Sequence, residues 1–279
     1  MKLFKIQLFV LILFLFTNIS FPWGEQGHHL IGKMAVRMLP KEMKDFKKWE
    51  NYINDHSDDP DGRKKGDKTE PPKHFIDIDS YKEFMNGKMV TDLNELKKIY
   101  ADSVILDYGI VPWATIETFN ALVKAFKDKN KEKVMLYMSD LSHYVGDGNQ
   151  PMHAVTNYNG QLTGQKGLHG RYEFSMLDSH LVEIEQSIKK VDVEYVKDKL
   201  AYIFDYISKA NLISNVIYDA DNQSYKIAGA REGSEYYKIM WFRTKDITEL
   251  QINRSVSALV SLMYSAWVDG GKPAFNKLK

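Results

Sequence analysis

The sequence contains no cysteine, so a disulfide framework, a thiolate metal site and a thiol nucleophile are all excluded. Net charge is nearly absent too. With 38 Lys and Arg against 37 Asp and Glu, the formal balance is +1, which excludes a broad electrostatic attraction to nucleic acid or anionic lipid. An anionic substrate must then be held by local charge. Strand-like alternation is scarce; Phe75-Ile76-Asp77-Ile78-Asp79 is the best candidate, and it is short. From Gly27 onward there is no internal repeat, low-complexity tract or long linker, which argues for one compact unit.

What is present is a sizeable apolar complement, 44% hydrophobic and 13% aromatic in 279 residues, ample for a large core. It is distributed with helical periodicity. Pro112 marks a helix start, followed by Trp113, Ile116, Phe119, Ala121, Leu122, Val123 and Phe126 at i, i+3 and i+4 type spacing. Val134, Met138, Leu141, Tyr144 and Val145 mark a second helix. A third stripe, from Ile252 through Val256, Leu259, Val260 and Met263 to Trp267, is stopped by Gly270-Gly271 and Pro273. These stripes read as core, and the fold class expected is all-α. The stretch from Asn54 to Pro72, charged and punctuated by Gly and Pro, is expected to be a loop.

Residues 1–22 open with Lys2 and Lys5, followed by an unbroken apolar run from Leu8 to Phe16. That run is too short for a membrane span of about 20 residues and reads as a signal peptide, which places the remainder, 23–279, in a secreted or periplasmic setting. No small-x-small cleavage site precedes Trp23, so an uncleaved anchor helix is the competing reading. An exported chain without disulfides must rely on its core and on bound metal for stability.

The densest chemistry lies in Leu141-Ser142-His143-Tyr144-Val145-Gly146-Asp147-Gly148-Asn149-Gln150-Pro151-Met152-His153. His143 and Asp147 are four apart and project from one helix face. Gly146, Gly148 and Pro151 are expected to break that helix and turn His153 back toward it. His169 and Glu173 repeat the i, i+4 arrangement. One such pair is common on helix surfaces, whereas two pairs plus a turn histidine form an N and O donor set of the kind zinc accepts.

These segments, together with Trp23-Gly24-Glu25-Gln26-Gly27-His28 and Lys73-His74-Phe75-Ile76-Asp77, resemble the superfamily that joins S1/P1-type nucleases and bacterial zinc-dependent phospholipases C. No motif is matched beyond Glu173. The resemblance implies a helical domain with three zinc ions at the base of a cleft. One ion is implied to take a loop Asp, His74 and His143, and a second His153, His169 and Glu173. The third is implied to take His28 with the free amine and carbonyl of a mature N-terminal Trp23, and Asp147 to lie near two of the ions. The loop acid is Asp58, Asp59 or Asp61, with Asp61 preferred because it stands just ahead of Arg63-Lys64; it is also the candidate to orient or deprotonate the attacking water. Asp77 is implied in substrate binding, as the first acid of that segment is in the nucleases, or else it caps the following turn. Tyr144, Tyr158 and Tyr172 are expected to pack in the interior, with stacking on a base or flanking of a lipid head as the functional alternative. His29, His56 and His180 are read as surface residues.

The implied activity is hydrolysis of phosphodiester bonds, foremost in single-stranded nucleic acid and nucleotides, and alternatively in phospholipid. No protein partner is implied. Glu173 is phospholipase-like, whereas the early His28 and His74-Phe75-Ile76-Asp77 are nuclease-like, so the subfamily signal is split. A zinc-binding surface protein without catalysis is the alternative from another class.

Overall fold

The structure, a computed structural model, describes residues 23–279; the expected signal peptide, 1–22, lies outside the described residues. Among these there is no strand, and the all-α expectation holds. The helices that frame the site are α1 (Gly24–Arg37), α2 (Glu50–His56), α3 (Asp59–Arg63), α4 (Val111–Lys127), α5 (Lys131–Asn149), α6 (Lys199–Ala228) and α7 (Ser234–Asp269), joined by short helical turns. No helix among the described residues is long and apolar enough to cross a membrane.

Helix α5 is the axis of the arrangement, packing against α1, α2, α3, α4, α6 and α7. Asn130 starts it by accepting a hydrogen bond from the Lys133 amide at 2.9 Å, which satisfies one of the unpaired amides of the first turn. From Met138 to Asn149 every residue is buried. A helix enclosed on all sides has no solvent face to spend on polar residues; those in its second half therefore serve one another or the site. Around it, α7 buries Ile252, Val256, Leu259, Val260, Met263 and Ala266, the stripe legible in the sequence. Each of these side chains larger than alanine contributes roughly 1.5–3 kcal/mol on burial. Helix α6 is capped by Asp198, which accepts from the Ala201 amide at 3.0 Å, and ends at Gly229 in the left-handed conformation.

Two expectations about breaks are corrected. Gly146 and Gly148 do not end α5, which runs on to Asn149 and is closed by Gln150-Pro151. The glycines are there for close approach: a Cβ on Gly146 would stand 3.0 Å from His28 Nδ1, and one on Gly148 would stand 2.7 Å from the Tyr206 ring. The stretch 54–72 is not loop throughout either. It completes α2 and forms α3, a five-residue helix with Pro60 in its first turn and the acids Asp59 and Asp61 near its positive end.

Candidate metal centre

Six elements deliver the polar side chains to one place. Helix α1 brings His28, α3 brings Asp61, α5 brings His143 and Asp147, and the turn Pro151–His153 brings His153. His74 ends a single 3-10 turn (Pro71–His74), while His169 and Glu173 come from a helical turn at Leu168–Gly170 that widens into a π-helix over Arg171–Met176. The extended stretch after His74 is not a strand. It is braced by irregular hydrogen bonds, with the Ile76 amide donating to the His153 carbonyl at 2.8 Å and the Asp77 amide to the Tyr108 carbonyl at 2.7 Å.

Eight buried residues fall into three donor sets: His28, His143 and Asp147; Asp61, His74 and His143; His153, His169 and Glu173. Within each set one donor atom per residue lies within 4.8 Å of the others. His143 belongs to two sets, and Asp147 also reaches both, with Oδ1 3.3 Å from His28 Nε2 and Oδ2 3.0 Å from His74 Nδ1. Asp61 Oδ1 is 3.4 Å from His74 Nδ1 and 3.6 Å from His143 Nε2. Glu173 Oε1 is 2.6 Å from His169 Nε2 and 3.3 Å from His153 Nε2. Of the three loop acids Asp61 alone reaches these histidines; Asp58 and Asp59 pair with His29 and His56.

Outer contacts fix the ring tautomers. His143 Nδ1 donates to the Ser57 carbonyl at 2.8 Å and His153 Nδ1 to the His74 carbonyl at 2.6 Å, so each presents a lone-pair Nε2 inward. On the far side of His74, Glu70 Oε1 stands 3.4 Å from Nε2 and is itself held by Lys73 and Tyr144. Burial, reinforced by the charge of His143, lowers His28 to about 4, and burial with the charge of Lys64 lowers His169 to about 3. Both are therefore neutral and able to donate a lone pair near neutral pH. Burial also works against protonation of His143, but the charges of Asp147 and Asp61 outweigh it and raise the pKa. The same contacts hold Asp147 well below the usual carboxylate range despite its burial. Burial pushes Glu173 up to about 7.

Both ring nitrogens of His28, Asp61 Oδ2 and Glu173 Oε2 are buried without a hydrogen bond. Leaving such groups unsatisfied costs about 1–3 kcal/mol apiece, more when charged. So many in one place, each a hard or borderline donor, fit divalent cations and have no packing rationale.

A profile of the S1/P1 nuclease family matches residues 23–173. The chain belongs to the S1/P1 nuclease family. That membership implies a metal-dependent hydrolase acting on phosphodiester bonds, and the matched span ends on Glu173, the last of the eight donors. In a comparison with curated proteins no sequence matches.

As a member of this family, the protein also needs a place for substrate beside the donors. A cavity of about 230 Å³ is lined by His74, His153 and His169 together with Lys64, Phe75, Asp77, Met152 and Tyr158. Asp77 is thus on the cavity wall. Burial, with Asp79 adding like charge, pushes its carboxyl up to about 7. Of the three tyrosines, Tyr144 and Tyr172 are buried, whereas Tyr158 is 44% exposed and stands edge-on to the His169 ring at 5.6 Å. Lys64, whose Nζ pairs with Asp61 Oδ1 at 2.5 Å, enters the sequence reading only as half of the Arg63-Lys64 marker for Asp61 and not as a site residue; its spacing of three from Asp61, just past the end of a short helix, was the available signal. Trp23 is fully buried, its indole donating to the Gly146 carbonyl at 2.7 Å and its own carbonyl accepting from the Gly27 amide at 3.2 Å.

Proposed function

We propose that this protein is a zinc-dependent phosphodiesterase with a three-ion centre, hydrolysing single-stranded nucleic acid and nucleotides. The observation that carries the reading is the clustering of three buried donor sets, two of which reach, through His74 and through His153 and His169, the wall of one cavity that also presents a flat aromatic ring, an amine and a carboxyl of raised pKa. His74, His143 and Asp61 would hold one ion, His153, His169 and Glu173 another, and His28 with Asp147 a third. Zinc, when bound, supplies Lewis acidity that lets water ionise near neutral pH and offsets charge on phosphoryl oxygens.

The chain's own side chains do the rest. Asp61 Oδ2, which has no hydrogen-bond donor, accepts the proton of the attacking water. Lys64 Nζ draws the phosphate toward the histidines and returns to Asp61 when the product leaves. Tyr158 and Phe75 offer ring faces to a base, worth about 1–3 kcal/mol per stacked base, and the Asp77 carboxyl, protonated in part near neutral pH, donates to a ring acceptor. An unpaired base reaches such a wall, whereas one stacked in a duplex does not; single strands are therefore preferred. The third donor set gains a further ligand if the mature chain begins at Trp23, since only a free amine has the lone pair. That requires export and cleavage before Trp23, which N-terminal sequencing of the mature protein tests.

The phospholipid reading rests on Glu173, the phospholipase-like acid of the His169 pair, and on the apolar wall formed by Phe75, Met152 and Tyr158. Incubating purified protein and zinc with single-stranded DNA, RNA and phosphatidylcholine separates the two. Cleavage of nucleic acid is the expected outcome; lipid turnover with intact nucleic acid would reject the nuclease assignment.

A further inference from the structure

Helix α1 carries a second set of donors on a different face from His28. Glu25 and His29 are one turn apart, the i, i+4 spacing also found in His143/Asp147 and His169/Glu173. Asp58, immediately before α3, completes a triad in which one donor atom from each residue lies within 4.8 Å of the others. His29 Nε2 is 3.0 Å from Asp58 Oδ1. A plain hydrogen bond would account for that contact alone, but it would not account for a second carboxylate brought up to the same point.

The local charge makes the arrangement unusual. Asp58 has His29 as its ion-pair partner, and Glu25 has no ion pair among the described residues. A third acid stands near: burial and the charge of Glu25 push the Asp178 carboxyl above its ordinary value. Two carboxylates brought up to one imidazole, neither ion-paired to a lysine or arginine among the described residues, repel one another unless a cation joins them. Nor does Asp58 serve as a helix cap, since its side chain accepts no amide of α3.

We propose that Glu25, His29 and Asp58 form a fourth divalent-cation site, facing solvent and separate from the buried centre. One imidazole nitrogen and two carboxylate oxygens suit zinc or manganese, with water filling the remaining positions. Glu25 is exposed and the other two are half-buried, so the site is weaker than the buried ones and fills after them. An ion there ties the first turn of α1, which carries His28, to the turn that leads into Asp61. Occupancy of the outer site thereby steadies two of the buried donors without touching substrate.

The test is a zinc isotherm on the purified protein, with bound zinc per chain counted by elemental mass spectrometry across buffers of rising free zinc. The wild type is expected to reach one plateau for the buried ions and then take up one ion more. His29→Ala, and separately Glu25→Gln, are expected to lose that last ion or to need at least tenfold more free zinc for it. Both should keep the first plateau and the phosphodiesterase turnover. The proposal is overturned if the wild type binds nothing past the first plateau, or if both variants follow the wild-type isotherm. It is equally overturned if the variants lose the buried ions too, because the residues would then belong to that centre. The height of the first plateau, which tests the buried centre, is read separately from the last step.

Discussion

Gly146→Ala sets a metal ligand against a single methyl group. Gly146 sits in α5 between His143 and Asp147, and a Cβ there would stand 3.0 Å from His28 Nδ1, 3.1 Å from His28 Cε1 and 3.5 Å from Ile31 Cδ1. Carbon contacts are comfortable near 3.5–4.0 Å, so the imidazole must withdraw by several tenths of an ångström. Behind it the ring is already stacked on His143, with centroids 4.0 Å apart, which limits where it can go. For the metal-free fold two effects oppose. Alanine gains about 1 kcal/mol over glycine in a helix interior, and overpacking costs about 1–3 kcal/mol, leaving a net loss between about zero and 2 kcal/mol. For the loaded protein the displaced ring should weaken metal binding by about 10- to 100-fold, comparable to disturbing an outer-sphere partner, or about 1.4–2.7 kcal/mol. Competition against a chromogenic chelator reads the second quantity, and urea unfolding of metal-free protein reads the first. Gly148→Ala is the control: its methyl meets the Tyr206 ring at 2.7 Å instead of a donor, so it should cost stability and spare affinity. A Gly146→Ala protein with the wild-type chelator curve would refute the reasoning.

Three further outcomes are expected. Asp77, with a folded pKa of about 7 above an unfolded value near 3.9, binds more protons folded than unfolded between those limits, so its contribution to stability falls as pH rises through that window. Asp77→Asn should flatten that part of the thermal-stability profile between pH 5 and 8, and an unchanged slope would exclude the group. Asp221 is buried and accepts hydrogen bonds from Gln165, Arg171, Arg231 and Tyr236; Asp221→Ala should cost on the order of 3 kcal/mol by stranding two guanidiniums, measured by urea denaturation. Dialysis against a chelator should lower the melting temperature by roughly 10 °C or more, since a site held at a thousand times its Kd contributes about 4 kcal/mol and each kcal/mol is worth about 2–4 °C in a chain of this size. Unchanged melting would argue against tightly held ions.

The helices were legible because burial imposes a period that single residues cannot disguise: the Trp113–Phe126 and Ile252–Trp267 stripes lie inside α4 and α7. The glycines of α5 were not, because the same residue serves a turn and a tight helix contact, and the partners that decide between them, His28 and Tyr206, are 118 and 58 positions away. The split between buried Tyr144 and Tyr172 and cavity-facing Tyr158 was hidden for the same reason, since a tyrosine's neighbours set whether it packs or lines a wall. The segment 54–72 misled by composition: charge and proline read as loop, although proline in the first turn and acids near the N-terminus are what a short helix start requires. The part beyond Glu173 carries no recognisable motif, yet it supplies α6, α7 and Asp221. Its Asp221 holds Arg171, which lies in sequence between His169 and Glu173.

His143 and Asp147 each serve two donor sets, while the His153, His169 and Glu173 set shares no residue with the others. On the three-ion reading proposed above, occupancy should be lopsided, with a pair of ions that come and go together and a third that exchanges alone. Sequence drift would meet the same asymmetry: a lineage could shed the solitary position and keep a binuclear remnant, but a change at Asp147, whose two oxygens face one set each, would weaken both halves of the pair.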